Sequence, residues 1–291
     1  MSWLETYRGT VYRWEADAVE HFTVAFYFER LEDATAALLD SLGLPDDTGD
    51  VTDCRVRYLR EFRVADVLHI RSGVLAVEGD QLVLAHEVVD SASDTVCTTV
   101  EQRVASIGAG PRAAAAARTV TWSVPPERER PGAAPVAPPD GDRGFIDVVR
   151  DRIKPWELDR RGRADWPAHV HRFTAANAQL IAAFGMTPEY MRDRRRGFST
   201  FDFKLRFAGV LRVGDPVLVR SALLHVGGSS IRIFHRLTNA ATGELAATLE
   251  QSGVHLDLDA RRPAPLPDEL RERARPLVVG AAAPAGTGGR S

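Results

Sequence analysis

The apolar positions of this chain switch period in each half, from helical spacing to strand alternation. Val24, Phe28, Leu31, Leu38 and Leu42 recur at roughly helical spacing, and Gly43 follows as a stop. Four alternating or apolar runs rich in Val, Leu, Ile and Thr come next: CRVRYLREFRV, VLHIRSGVLAV, QLVLAHEVV and TVCTTVEQRVAS. A short strand, TYRGTVYRW, precedes the helix. The second half repeats this order. Asp165 is a natural N-cap, Pro167 suits a first turn, and Gly185 ends the helix before FDFKLRFAGVL, PVLVRSALLHV, SIRIFHRLT and LAATLEQSGVHLDL. PLPDELRERARPL predicts a short helix with Asp268 near its N-terminus.

One long helix followed by an antiparallel sheet is an α+β unit, with the sheet curling around the helix. Such a unit leaves a sheet edge open, and a second copy beside it closes that edge. The expected fold is therefore two units, each a long helix wrapped by a curved antiparallel sheet, with the sheets paired side by side.

Residue identities support a duplication. At an offset of 142, Trp14, Asp17 and Gly43 fall on Trp156, Asp159 and Gly185. Beyond the helix the offset is 149. It carries Asp66 onto Asp215, Arg71-Ser72 onto Arg220-Ser221, His86 onto His235, and Glu101-Gln102 onto Glu250-Gln251. One seven-residue insertion reconciles the registers, and the basic run RDRRRG at 192–197 falls within it. The expected organisation is an N-terminal unit over 1–124, a Pro/Gly-rich linker over 125–144, a C-terminal unit over 145–275, and a disordered tail over 276–291.

Composition narrows the function. A net charge of −3 over 291 residues gives no basic excess for nucleic acid, and no apolar run is long enough to span a bilayer. Two cysteines, Cys54 and Cys97, are too few for a disulfide scaffold, and no secretory leader is evident at the N-terminus. No metal-ligand cluster, phosphate loop or nucleophile elbow is present. The chain reads as cytoplasmic, with no resident cofactor and no metal.

The repeated loops, WEADAVEH at 14–21 and WELDRRGR at 156–163, carry the candidate chemistry. Each places an Asp just ahead of a long helix. Asp17 is followed by Glu20 and His21, and Asp159 by Gly162 and Arg163. The loops, helices and strand order resemble the hotdog fold, in its 4-hydroxybenzoyl-CoA-thioesterase-like branch, whose motif is an Asp with Gly-His three and four places later. LAHEVVDSASDTVCTTVEQ and the strand pair from Ile233 onward are similar to thioesterases of the carnitine and betainyl-CoA pathway. The first copy keeps Asp and His; the second keeps Asp and Gly. The motif's Asn is matched by Thr23 and Asp165, and its helix Tyr by Tyr27 and His169.

That resemblance implies an acyl-CoA or acyl-carrier-protein thioesterase, with CoA present only as part of the substrate and each site shared between units. Asp17 and Asp159 are the expected nucleophiles or general bases, with His21 and Thr23 completing the first site. Glu20, Tyr27, Gly162, Arg163, Asp165 and His169 are expected to bind substrate. Glu20 would set a second carboxylate beside His21, and Arg163 could meet an acyl carboxylate or a CoA phosphate. An enoyl-CoA hydratase or dehydratase and a non-catalytic acyl-CoA binder are the competing functions. Pairing of double units into a homo-oligomer stays open. Trp14 and Trp156 are expected to pack in the core, and His86 and His235 to be satisfied structural histidines.

Overall fold

The computed structural model describes residues 3–17, 20–44, 49–105, 119–124 and 139–279. The first half contains β1 (Leu4–Thr10), α1 (Val24–Ser41), β2 (Asp50–Tyr58), β3 (Val67–Glu78), β4 (Gln81–Asp90) and β5 (Thr95–Ala105). The second contains β6 (Ile146–Arg152), α2 (Trp166–Ala183), α3 (Pro188–Arg194), β7 (Arg196–Phe207), β8 (Pro216–Val226), β9 (Ser230–Asn239) and β10 (Leu245–Asp257). A two-residue strand β11 (Arg262–Pro263) and helix α4 (Asp268–Ala274) complete the described chain.

Both long helices obey the 142 offset to the residue, 24–41 falling on 166–183. The insertion between registers is α3, which Thr187 caps through Tyr190 N. Two of the four arginines in the basic run there are paired, Arg195 with Asp259 and Arg196 with Asp257.

The strands form one antiparallel sheet in the order β1-β3-β4-β5-β2-β7-β10-β9-β8-β6, with β11 on β10. The halves meet where β2 pairs with β7, from Asp53 opposite Arg206 to Arg57 opposite Asp202. Opposite charges pair across this seam, Arg206 with Asp53 directly opposite and Arg55 with Asp202 on the diagonal. α1 and α2 pack against one another. One core cluster takes Phe28 and Leu31 from α1, Phe173 and Ala176 from α2, and Phe203 from β7. Burying each such large side chain contributes roughly 1.5–3 kcal/mol, so the seam is part of the core.

The structure corrects three expectations. Trp14 and Trp156 are 72% and 78% exposed. The neighbouring glutamates point inward instead: Glu15 pairs with Arg30 of α1, and Glu157 with Arg172 of α2 at 2.9 Å. Anchoring the glutamate turns the adjacent Trp outward. The strand drawn over CRVRYLREFRV starts earlier, at Asp50, and ends at Tyr58, before a turn with Ala65 at φ +71. The tail expected from 276 is packed as far as Val279, whose amide donates to Leu223 O at 2.9 Å. This mirrors Val120, whose amide donates to Val74 O at 2.8 Å. Val120 lies so close over Gly73 that an added Cβ would sit 2.6 Å from its side chain. The tail beyond 279 and the linker over 125–138 lie outside the described residues.

Candidate active site

Each Asp loop is a closed turn built the same way. Asp17 N donates to His21 O, Glu20 N to Asp17 O, and His21 N to the Asp17 carboxylate at 3.0 Å. In the second copy Asp159 N donates to Arg163 O, Gly162 N to Asp159 O, and Arg163 N to the Asp159 carboxylate at 2.9 Å. The turn requires a left-handed residue at its third step after the Asp. Gly162 takes φ +71 there freely, whereas Glu20 takes φ +64 with a side chain.

Downstream of the turns the copies diverge. At α1 the N-cap is Thr23, whose side chain makes no capping hydrogen bond. At α2 the N-cap is Asp165, whose carboxylate accepts from Ala168 N at 2.7 Å. An anion thus already sits on the helix start that would otherwise attract a developing oxyanion.

A cleft of about 150 Å³ opens at the first loop. Asp17, His21, Thr23, Val24 and Tyr27 form one side, with Tyr58 and Glu61 from β2 and the turn after it. The opposite side comes from the second half: Thr174 and Asn177 of α2, Ser199, Thr200 and Phe203 of β7, and Gln251 of β10. The cleft is therefore composite. Phe22, Tyr27 and Tyr58 form an aromatic run, with centroids 4.4 Å and 5.2 Å apart in succession. Burial pushes the Tyr27 phenol well above its ordinary value, so it stays a neutral hydroxyl.

The His21 imidazole places its Nε2 3.1 Å from Glu61 Oε2. Ser199 Oγ donates to Glu61 Oε1 at 3.0 Å, and Arg261 meets Glu61 Oε2 at 2.9 Å. The carboxylate expected beside His21 is thus that of Glu61, while Glu20 is exposed and outside the cleft lining. With Nε2–H donated to Glu61, Nδ1 is the ring atom left to exchange a proton.

At the second loop Arg163 holds the Asp159 carboxylate through Nε at 2.9 Å and also meets Asp50 at 2.6 Å. Arg161 donates to the same Asp50 oxygen at 2.8 Å. The Arg163 hydrogen bond lowers the Asp50 carboxyl from its ordinary value. Arg163 is committed to two protein carboxylates rather than presented to an acyl carboxylate or a phosphate. His169 is buried with Nδ1 donating to Asp165 O at 2.7 Å, and burial drives it down to about 4. Glu32 of α1, the counterpart of Thr174, is pushed up to about 8 by burial and then by Asp165 and Asp159.

Both repeated histidines are internal. His86 and His235 are fully buried, each with Nδ1 against a serine: Ser72 at 2.7 Å and Ser221 at 2.6 Å. Sequence reading missed Glu61, Ser199, Asn177 and Tyr58 as neighbours of the Asp17 loop. For Gln251 the repeat with Gln102 was a signal, since a buried amide recurring in a strand calls for a partner.

Two halves built on the same helix-and-sheet plan, with a composite cleft at a helix start, define a thioesterase-like architecture. The chain belongs to the thioesterase-like superfamily, whose model matches residues 11–140 and 153–274. It is 25% identical over 148 residues to an L-carnitine dehydrogenase/betainyl-CoA thioesterase of Rhizobium meliloti (strain 1021). That match covers 50% of this chain but only 30% of the relative's length. It is 29% identical over 126 residues to a betainyl-CoA thioesterase of Pseudomonas aeruginosa, covering 43% of this chain and 79% of the relative. Among solved structures it resembles an acyl-ACP thioesterase from Bacteroides thetaiotaomicron with a TM-score of 0.62 at 10% identity. That likeness covers 85% of this chain and 96% of the other, and it extends to the fold. No described helix is long and apolar enough to cross a membrane.

Proposed function

We propose that the chain is a tandem double hotdog that hydrolyses an acyl-CoA or acyl-carrier-protein thioester in the cleft beside Asp17. The observation carrying this reading is the asymmetry of the two helix starts: Thr23 makes no side-chain cap above an open composite cleft, whereas Asp165 occupies α2. The relatives' names supply the thioester class.

In this reading the thioester oxygen lies at the start of α1, where backbone N–H groups stabilise the developing oxyanion. Asp17 acts as general base on water or as the nucleophile. The acyl carbon gains the water oxygen, the C–S bond breaks, and the departing thiolate takes a proton to leave as thiol. His21, oriented by Glu61, moves that proton through Nδ1. Thr23 and Tyr27 shape the substrate side. Glu20, Gly162, Arg163, Asp165 and His169 act in turn geometry, capping and packing. The unit limits 1–124 and 145–275 with a linker at 125–144 belong to the same proposal.

The test is thiol release from acyl-CoA and acyl-carrier-protein substrates by the full chain. Asp17→Asn should lower kcat/KM at least about 100-fold, within the range of a general base. An unchanged rate for Asp17→Asn removes Asp17 from the chemistry. Loss of enoyl absorbance without thiol would instead assign a hydratase, and tight binding without either would assign a binding protein.

A further inference from the structure

The repeated Ser-His-Gln network is joined by a helix residue in the first half, whereas in the second the helix residue at that place keeps an unpaired oxygen. In the first, Ser72 donates to His86 Nδ1 at 2.7 Å and His86 Nε2 donates to Gln102 Oε1 at 3.0 Å. Thr35 of α1 adds a donor to the same Gln102 oxygen at 2.8 Å. Every member has a partner, although Gln102 Nε2 has none.

In the second half Asn177 replaces Thr35. Ser221 still meets His235 Nδ1 at 2.6 Å, but Gln251, alongside His235, donates to Thr200 Oγ1 at 2.7 Å. Asn177 Oδ1 is left buried with no hydrogen-bond partner. Asn177, Gln251 and Thr200 all line the cleft, and so does Tyr58, whose buried hydroxyl is also unpartnered. A buried polar atom without a partner costs free energy in a native protein, and two of them on one cavity, Asn177 Oδ1 and Tyr58 OH, mark a place that a ligand completes.

We infer that Asn177, Gln251 and Tyr58 form a polar floor that selects a short acyl group bearing a hydroxyl or amino donor. This rests on the thioesterase reading of the same cleft. An O–H or N–H group satisfies Asn177 Oδ1, whereas an unsubstituted alkyl chain leaves it desolvated and unpaired. Size is compatible, because about 150 Å³ holds a group of roughly benzene size. A trimethylammonium acyl brings no hydrogen-bond donor to the floor. Asn177 and Gln251 are specificity residues and take no part in proton transfer.

Binding separates this inference from hydrolysis. Calorimetry on the full chain would compare two non-hydrolysable CoA thioethers, S-(3-hydroxybutyl)-CoA and S-butyl-CoA, with the trimethylammonioethyl thioether as a third probe. The hydroxylated thioether should bind about tenfold or more tightly than the alkyl one, and Asn177→Leu should bring the ratio to about one or below. Equal wild-type affinities overturn the inference without any variant, as does tighter binding of the trimethylammonium probe or no binding of any of the three. An equal loss on both thioethers in a folded Asn177→Leu also overturns it. Discriminating binding without thiol release from the matched thioesters would instead remove the hydrolase reading and leave the floor standing.

Discussion

The first and second Asp loops share a scaffold and differ in what fills the space above it. Both hang from a buried glutamate–arginine pair, Glu15 with Arg30 and Glu157 with Arg172. Both close through an Asp carboxylate that accepts the amide four residues on. Above the first, the helix start lacks a side-chain cap and faces a cleft; above the second, Asp165 caps the helix and Arg163 bridges Asp159 to Asp50. The Asp of the motif therefore builds the turn in both copies. In the proposed reading, the next few residues and the opposite half decide which turn serves as a site.

The largest effect should come from what the copies share. Glu15→Ala leaves the buried Arg30 guanidinium with Glu29 at 3.3 Å, and Glu157→Ala leaves that of Arg172 with Asp151 at 2.9 Å, so each should destabilise by about 3 kcal/mol, the low end for breaking a buried pair. Denaturant melts would show it, and a loss confined to one copy would break the common-scaffold half of the comparison.

Acid should act next, and again on both halves. Burial depresses His86 to about 4 and His235 to about 3, so each stays neutral in the fold at a pH where the unfolded chain protonates it. Their contribution is full above about pH 6.5 and is lost as pH falls toward those values, by on the order of 1 kcal/mol per pH unit each. Stability measured from pH 7 to 4 should decline more gently in His86→Gln than in the wild type. Parallel curves would contradict this.

Glu32, on α1, carries the opposite sign and is raised in part by the carboxylates of the second loop. Its carboxyl, raised to about 8 by burial and then by Asp165, Asp159 and Asp33, with Arg160 acting the other way, holds a proton in the fold that the unfolded chain releases near 4.5. Stability should therefore fall as pH rises from about 4.5 to 8. Glu32→Gln should recover on the order of 1 kcal/mol at pH 8 and little at pH 5. The same gain at both pH values would assign it to packing.

The smallest effect tests the divergence within the turn. Glu20→Gly relieves a left-handed side-chain residue and should be neutral to stabilising by about 1 kcal/mol, whereas Gly162→Ala should cost about as much. Thermal melts of the two variants moving in the same direction would deny the shared turn geometry.

Local patterns carried most of the fold. The helix limits, the cap at Asp165 and the strand series followed from spacing and punctuation, because those features depend on near neighbours. Trp14 and Trp156 misled because a repeated aromatic reads as core, and nothing local reveals that the adjacent glutamate turns inward instead. Glu61 and Asn177 were invisible for a different reason. They reach the Asp17 loop only through the turn after β2 and through α2 packing on α1, contacts that no period in the chain encodes. Gln251 was visible as a repeat, but only the tertiary arrangement distinguishes its Thr200 contact from Gln102's pairing with His86.

A crystal structure of the full chain with a CoA ketone analogue, a methylene replacing the thioester sulfur, tests the two-loop account most directly. The account predicts the ketone oxygen at the start of α1 beside Asp17, with the start of α2 still closed by Asp165. A ketone oxygen at the start of α2 beside Asp159, or equal occupancy of both helix starts, would contradict it.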